Sequence, residues 1–258
     1  MIENFLNSPK KIEFFDEISS TNTVLKERAA KGEKSGTILI SEYQTQGRGR
    51  LGRSFFSPRG CGIYLSYLIK PQIKAEDSIF ITVAAAVAMV RAIKKVFDID
   101  TKIKWVNDVY YKNKKLCGIL TEGAVLTSGE LGYAVLGIGI NIKIPPDGYP
   151  EEFDYKTTNI EAIKGEVTTC EKHRLIAEFI NEFDIIFNDN KFSFIKEYKE
   201  ASCIIGESIE ILSGEHKGYA TAIDINDTAE LVAKLSTGET VTLSSGDVSI
   251  RRSSDRKI

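Results

Sequence analysis

Seven consecutive residues, Gly47-Arg48-Gly49-Arg50-Leu51-Gly52-Arg53, interleave glycines with arginines. Glycine lets backbone N–H groups approach a ligand closely. Arginine offers a planar fork that matches carboxylate and phosphate oxygens. Together they suit a loop that closes over an anionic, phosphate-bearing ligand. A solvated basic loop has the same composition, and composition alone leaves the two readings about even. The spacing Gly47, Gly49, Gly52 also spells G-x-G-x-x-G, but a dinucleotide site needs that pattern to open a helix, with an acid on a strand end some way on. Here Ser54-Phe55-Phe56-Ser57-Pro58 follows, with Gly60 and Gly62, which is no regular helix. Glu76 and Asp77 follow Pro71 in a loop. No HRD, DFG or GxxxxGK[ST] occurs, so the kinase and Walker readings fail.

A second cluster runs from Lys104 to Glu122. Asn107 and Asp108 sit just after a strand, where loop residues often meet ligands. Lys115 starts the next strand, and regular alternation predicts one face for Lys115, Cys117 and Ile119. Beside the small Gly118, that lysine could point into a cleft, but taken alone the sequence favours the reading in which Lys112, Lys114 and Lys115 only solubilise a turn. The third cluster is Gly137-Ile138-Gly139-Ile140-Asn141. As a strand it turns Ile138, Ile140 and Ile142 one way and Gly137, Gly139 and Asn141 the other. Alternate glycines leave one face bare for a ligand or another backbone. Asn141 at its edge carries an amide suited to an adenine edge, or simply starts a turn.

The elements that must position these clusters follow from periodicity. Thr37–Glu42, Ile63–Ile69, Ile103–Trp105, Leu116–Glu122 and Tyr133–Ile142 read as strands, with a hairpin around Lys112-Asn113-Lys114. Ile79–Val90 is the longest apolar run, interrupted by Thr82. It is too short to span a bilayer and predicts a buried helix to about Phe97, capped by Asp77 or Ser78. Leu175, Ile176, Phe179 and Phe183 mark a helix from about Glu171 to Phe187. After Cys203 the texture becomes five short strands, ending in the run 247–252, with Gly, Asn, Asp and Ser between them. That spacing suggests a small β-barrel. The expected division is residues 1–203 as a mixed α+β domain and 204–258 as the small β domain with a short tail.

A net charge of -2 argues against a protein that works by gripping nucleic-acid phosphates. Cys61, Cys117, Cys170 and Cys203 show no CxxC spacing and have only His173 and His216 beside them, so no dedicated metal site is expected. Free thiols suit a reducing cytoplasm, and the opening residues, with Glu3 and no sustained apolar core, do not read as a secretory signal.

Taken in order, Ile18–Asn22 (ISSTN), Glu42–Phe55 (EYQTQGRGRLGRSF), Lys104–Asp108 (KWVND), Lys114–Glu122 (KKLCGILTE) and Gly137–Asn141 (GIGIN) resemble the biotin protein ligase family over about residues 14 to 251. Each piece is short, but the ordered set is specific. The resemblance implies an α+β fold: a mixed, largely antiparallel sheet with helices, like class II aminoacyl-tRNA synthetases, plus a C-terminal SH3-like β-barrel. It implies a biotin–[biotin carboxyl-carrier protein] ligase that forms biotinyl-5'-AMP from biotin and ATP, with Mg²⁺ accompanying ATP. Biotin then passes to a lysine of a biotin carboxyl carrier protein. Carried over by position, Ser20, Thr21, Asn22, Gln44, Gly47, Arg48, Gly49, Arg50, Lys115 and Gly118 would hold biotin. Arg48, Arg50, Arg53, Trp105, Asn107, Asp108, Lys115 and Asn141 would serve ATP, and Lys115 and Arg50 would be catalytic. Val106 stands where the family usually has proline, losing a stiffened turn while Asn107 and Asp108 remain. Only residues 1–17 precede ISSTN, so the DNA-binding, repressing role of some members is not expected. The sequence fixes no oligomeric state; a homodimer is among those it allows.

Attack of a carboxylate on an α-phosphorus surrounded by negative oxygens needs cations and positioning more than proton transfer, because the carboxylate is already ionised at neutral pH. Lys115 would meet both anions, and residues 47–53 would order into a lid that shields the anhydride from water. A lipoate protein ligase is the enzymatic rival. Its glycine signature is of the RRxSGGG type, unlike the segment found here. A non-catalytic module whose C-terminal part binds RNA or protein would leave the ordered motifs between residues 18 and 141 unexplained.

Overall fold

The β-branched and aromatic runs pair into two sheets in the computed structural model, which describes residues 1–151, 156–189 and 193–244 and the backbone of 250–252. The first sheet uses β1 (Lys11–Phe15), β2 (Thr37–Ser41), β3 (Gly62–Ile69), β4 (Lys102–Lys104), β5 (Asp108–Tyr111), β6 (Lys114–Val125) and β7 (Leu131–Asn141), in the order β1-β2-β3-β7-β6-β5-β4. β1 and β2 are parallel, and the other neighbours are antiparallel. The predicted hairpin joins β5 to β6, with Lys112 in the left-handed region at φ 52°.

Alternation along each strand divides the sheet into two faces. One face sends Ile38, Ile40, Ile63, Leu65, Ile138 and Ile140 into the main core. The helix α2 (Ile79–Phe97) covers it; its run of Ala84, Ala85, Ala86 and Ala88, all buried, keeps the helix close to the strands. Ser78 takes the N-cap position but its side chain makes no capping bond. A 3₁₀ turn over Ala75–Ser78 feeds straight into the helix, so the hydroxyl is never turned back onto the first N–H groups. Behind α2 lies α4 (Thr169–Phe187), which starts slightly before the expected Glu171 because Thr168 and Glu171 form a capping box. The short α3 (Ile160–Lys164) and α5 (Phe194–Ala201) complete this side.

The opposite face is covered only in part. Leu25 and Ala29 of α1 (Thr21–Ala30) pack on Leu39, Leu68 and Val135. Further along, Gly118, Gly137 and Gly139 replace large side chains, and the face stays open to polar groups. Arg28 near the end of α1 bonds both Glu13 on β1 and Glu33, which fixes how the helix lies across the sheet.

The second sheet comprises β8 (Ser208–Ile211), β9 (Gly218–Ile225), β10 (Leu231–Leu235), β11 (Thr240–Leu243) and β12 (Ile250–Arg252), in the antiparallel order β11-β10-β9-β8-β12. Ile209, Ile211, Ala222, Leu231 and Ala233 form its buried side. Of the last predicted strand, residues 247–249 lie outside the described residues, as do 253–258 of the basic end. Trp105 Nε1 donates to Ala229 O at 2.9 Å, tying the turn after β4 to the second sheet. Among the described residues, no helix is long and apolar enough to cross a membrane.

Candidate active site

Ser20 caps α1, its hydroxyl accepting from Thr23 N–H at 3.4 Å. That cap aims the first turn of α1 at the sheet face left bare by glycine. Thr21 N–H donates to Gln44 Oε1 at 2.9 Å, and Gln44 Nε2 donates to Ser57 Oγ at 2.9 Å. Thr21 Oγ1 also lies 3.1 Å from Gln44 Oε1 and 2.7 Å from Ser66 Oγ. Asn22 Nδ2 donates to Leu120 O and to Glu122 Oε2. A Cβ on Gly137 would lie 2.2 Å from Asn22 Oδ1, so only glycine leaves room for this amide.

The arginine loop is folded as a small hairpin. Arg48 bridges to Ser54, Gly49 N–H donates to Arg53 O, and Phe55 N–H donates to Gly47 O. At its tip Leu51 and Gly52 are both left-handed, at φ 54° and 73°. Arg48 reaches Glu122 at 3.1 Å, and Arg50 donates to Asn107 Oδ1 at 3.0 Å. Burial draws the Arg50 guanidinium below its ordinary pKa, while nearby Asp108 acts the other way; it stays a cation near neutrality.

The predicted shared face of Lys115, Cys117 and Ile119 is corrected. Pairing shifts register between Val109↔Cys117 and Tyr110↔Lys115, leaving Leu116 as a bulge. A bulge adds one residue to one strand and breaks alternation. Leu116, Cys117 and Ile119 therefore all enter the main core, while Lys115 turns to the glycine face. A Cβ on Gly118 would meet Lys115 Nζ at 3.1 Å, and one on Gly139 would meet Phe55 Cε1 at 2.4 Å. Lys115 Nζ sits 2.7 Å from Asp108 Oδ1 and 5.9 Å from the centre of the Phe55 ring.

Asn107 and Asp108 are held despite Val106. Asn107 Nδ2 donates to Ile119 O and to Asp108 Oδ1, Ile119 N–H donates to Asn107 O, and Tyr198 Oη donates to Val106 O. The Trp105–Val106 peptide is cis.

One cavity gathers Ser20, Thr21, Asn22, Gln44, Arg48, Gly49, Arg50, Asn107, Lys115 and Gly118, all singled out from the sequence. Its lining does not include Gly47, Arg53, Trp105, Asp108 or Asn141. Gly47 backs the loop, where a Cβ would strike Phe55 O at 2.3 Å. Trp105 is buried against the second sheet, Asp108 reaches the cavity through Lys115, and Asn141 Nδ2 donates to Thr158 O at 3.2 Å. Phe55, Gly137 and Gly139 line it too, though sequence reasoning named none of them as site residues. The bare glycine face was the available signal for that wall. A recess of about 410 Å³ shares Arg48, Gly49, Arg50, Ile119 and Leu120 with this cavity and extends to Ser78 and Thr82. All four cysteines are free thiols, and among the described residues no three His, Cys, Asp or Glu side chains cluster to hold a metal ion.

The cavity thus has two chemically different ends. Thr21, Gln44 and Asn22 present neutral hydroxyl and amide groups at one end, and Lys115 and Arg50 present cations at the other.

Residues 14–141 match the model of the biotin/lipoate A/B protein ligase family, and residues 204–251 match the biotin protein ligase C-terminal domain. The chain is 30% identical over 229 residues to the bifunctional ligase/repressor BirA of Bacillus subtilis, covering 87% of this chain and 70% of that protein. It is 29% identical over 248 residues to the biotin–[acetyl-CoA-carboxylase] ligase of Mycobacterium tuberculosis, covering 93% and 88%. The biotin protein ligase of Aquifex aeolicus, solved with biotin and ATP, superposes with a TM-score of 0.77 at 27% identity, over 95% of this chain and all of that one. With two family models in sequence order, relatives matched over 70% and 88% of their own length and a shared fold, the chain belongs to the biotin/lipoate A/B protein ligase family, and within it to the biotin protein ligases.

Proposed function

We infer that this chain is an ATP-dependent biotin ligase that makes biotinyl-5'-AMP and pyrophosphate, then passes biotin to a lysine of a biotin carboxyl carrier protein. The single observation that carries this reading is the two-ended cavity. Biotin has a neutral ureido ring at one end and a carboxylate at the other, and the hydroxyl and amide end faces Lys115 and Arg50 across a wall of Gly118 and Gly139.

The roles proposed for the site residues are those that the family resemblance implies, supported by their meeting in one cavity. Thr21 and Gln44, with Ser20 and Asn22 beside them, receive the ureido ring. Lys115, beside Asp108 and Phe55, meets the biotin carboxylate and the α-phosphate together and offsets charge as the carboxylate oxygen bonds to phosphorus. The P–O bond to pyrophosphate breaks in that step. Arg50, tied to Asn107, covers the same place from the loop. In the second step the carrier lysine attacks the acyl carbon and AMP leaves.

Arg53, Trp105, Asp108 and Asn141 act around the nucleotide less directly: Trp105 and Asp108 by holding their neighbours, Arg53 and Asn141 from positions beside the cavity. Mg²⁺ would enter with the triphosphate, neutralising its oxygens; Asp108, the carboxylate nearest Lys115, is engaged by that lysine. Residues 1–203 form the catalytic part in this reading and 204–258 the SH3-like part, supported by the separate second sheet. A cytoplasmic setting, where free thiols persist, is part of it, as is a protein partner rather than a nucleic acid. Either a monomer or a homodimer is compatible.

Isotope exchange between pyrophosphate and ATP tests the reading. Exchange that requires biotin is expected. Exchange that requires lipoate instead would make the chain a lipoate ligase, and no exchange with either would overturn the adenylation reading.

A further inference from the structure

Tyr198 lies on α5 and does not line the cavity. Its side chain is fully buried, and its hydroxyl donates to Val106 O at 2.9 Å. Burial pushes the phenol well above its ordinary pKa, so the proton stays on the oxygen and the group remains a donor.

The carbonyl it holds belongs to a turn whose three residues are tied to three different parts of the fold. Trp105 Nε1 donates to Ala229 O, in the turn between β9 and β10. Val106 O is held by α5 through Tyr198. Asn107 is held by β6: its Nδ2 donates to Ile119 O at 2.8 Å, and Ile119 N–H donates to Asn107 O at 2.9 Å. The helix behind Tyr198 is itself fixed. Glu197 accepts from Arg91 Nε of α2 at 2.9 Å, and the ring of Phe194 meets that of Phe80 edge-on. Just past the helix, Cys203 N–H donates to Ile103 O at 2.9 Å.

This turn supplies partners to both cations of the cavity's charged end. Asn107 Oδ1 receives Arg50 Nη1 at 3.0 Å, and Asp108 Oδ1 lies 2.7 Å from Lys115 Nζ. The Asn107 amide has one usable orientation, because Ile119 O can only accept and so takes the NH₂. Oδ1 is then the atom left for Arg50, and its reach depends on where the backbone of the turn sits. Val106 lacks the fixed φ of a proline, so that backbone needs an outside hold. A shift of roughly 1 Å in a catalytic group can cost about 10²-fold in rate.

We propose that Tyr198 is a positioning residue for adenylation: its hydrogen bond to Val106 O holds the backbone at residues 106–108 where Asn107 and Asp108 place Arg50 and Lys115. This rests on the reading of the cavity as the site where biotin is adenylated. Thr21 and Gln44, at the neutral end, take no hydrogen bond from this turn. The Tyr198 bond therefore bears on the chemical step and leaves the hold on the ureido ring alone.

The test measures biotin-dependent exchange between pyrophosphate and ATP, and biotin binding by calorimetry without ATP. The proteins are wild type, Tyr198→Phe, Arg50→Ala, Lys115→Ala, and each cation variant combined with Tyr198→Phe. Phenylalanine keeps the ring and removes the donor, and thermal unfolding sets an assay temperature at which every variant is folded. Tyr198→Phe is expected to lower kcat about tenfold, the scale of one hydrogen bond, with biotin affinity nearly unchanged. In Arg50→Ala or Lys115→Ala, where a cation placed by the turn is already gone, the same substitution should cost less than it does in wild type.

A tyrosine that serves the fold alone would lower the unfolding temperature and leave kcat as it was. Wild-type kcat in folded Tyr198→Phe overturns the proposal, as does an equal fall in biotin affinity, or losses that multiply in both cation backgrounds. Should Tyr198→Phe fail to fold, an ester in place of the amide between Val106 and Asn107 keeps every side chain and weakens the Val106 oxygen as an acceptor, and the same outcomes decide. Failure of wild type to exchange pyrophosphate in the presence of biotin would strike the functional reading itself, before any variant is compared.

Discussion

At the scale of single residues, Lys115 shows how one inserted neighbour sets a chemical role. Strict alternation would have put it beside Cys117 and Ile119, on the face packed against α2. The bulge at Leu116 turns it instead toward Gly118, Phe55 and Asp108. If Lys115 stabilises the carboxylate and the α-phosphate together, Lys115→Ala loses about 10² to 10³ in biotin-dependent pyrophosphate release, the usual worth of one well-placed donor. The variant should still unfold at close to the wild-type temperature, since the ammonium is partly exposed and leaves no cavity in the core. Normal pyrophosphate release by that variant would remove Lys115 from the chemistry. Motif order picked out the lysine, but the reason that it reaches the site was invisible in the chain, because a bulge is settled only by how two strands pair.

At the scale of elements, the glycines of β6 and β7 matter for what they leave out. Ile63↔Ile140 and Cys117↔Ile140 pair β7 on both sides, so its backbone has little freedom to shift. A methyl group at Gly139 would lie 2.4 Å from the Phe55 ring, and the ring would have to leave its place beside Lys115. Gly139→Ala is therefore expected to cost about 1 to 3 kcal/mol of stability, as overpacked sites do, and to weaken biotin binding. Denaturant unfolding and calorimetry on the same variant check both, and wild-type affinity would argue that the ring takes no part in the site. The alternation of Ile138 and Ile140 against Gly137 and Gly139 was readable from the sequence, and the structure keeps it. Which side chain fills the bare face was not readable, since Phe55 comes from a loop distant in the chain.

The helix that carries Ser20, Thr21 and Asn22 depends on charge for its seating. Arg28 bonds Glu13 and Glu33 and, with Lys11, holds both carboxyls down at about 2, against an ordinary 4.5. A group whose folded pKa is depressed contributes stability that is present above its unfolded pKa and lost as pH falls toward the folded one. The window here runs from about 4.5 down to about 2. Thermal unfolding temperature should fall across that window, and Arg28→Ala should show a flatter dependence there. An identical slope for both proteins would mean that these contacts contribute nothing measurable, as many surface pairs do.

At the scale of the whole molecule, two sheets share one continuous apolar core. Ile209, Ala222 and Leu231 of the second sheet belong to the same buried cluster as Ile103 and Trp105 of the first part. The indole N–H of Trp105 reaches Ala229 O from the turn that carries Asn107 and Asp108. Trp105→Phe keeps most of the apolar contact and removes that donor, leaving a buried carbonyl short of a partner. A loss of about 1 to 3 kcal/mol is expected by chemical denaturation, with the second sheet loosening first in hydrogen exchange. Unchanged exchange in residues 229–235 would show that the bond does not couple the two parts.

The sequence by itself determined the inner strands and the two long helices, because their periods are local and their apolar runs are long enough to read; β1, α1 and the short helices α3 and α5, whose apolar patterns are weak or short, were not read from it. It also determined the chemistry on offer, through the arginine and glycine loop, the Asn107-Asp108 pair and the alternating glycines. Tertiary structure decided which of these residues meet. It put Lys115 on the glycine face through a bulge, set Phe55 against Gly139, buried Trp105 with its indole N–H on the second sheet, and placed Glu122 behind Asn22. Each of those outcomes depends on strand register and on contacts between residues far apart in the chain. Local pattern carries the identity of a side chain and the face that alternation assigns it, but a one-residue shift in pairing reverses that face, and only the folded sheet records the shift.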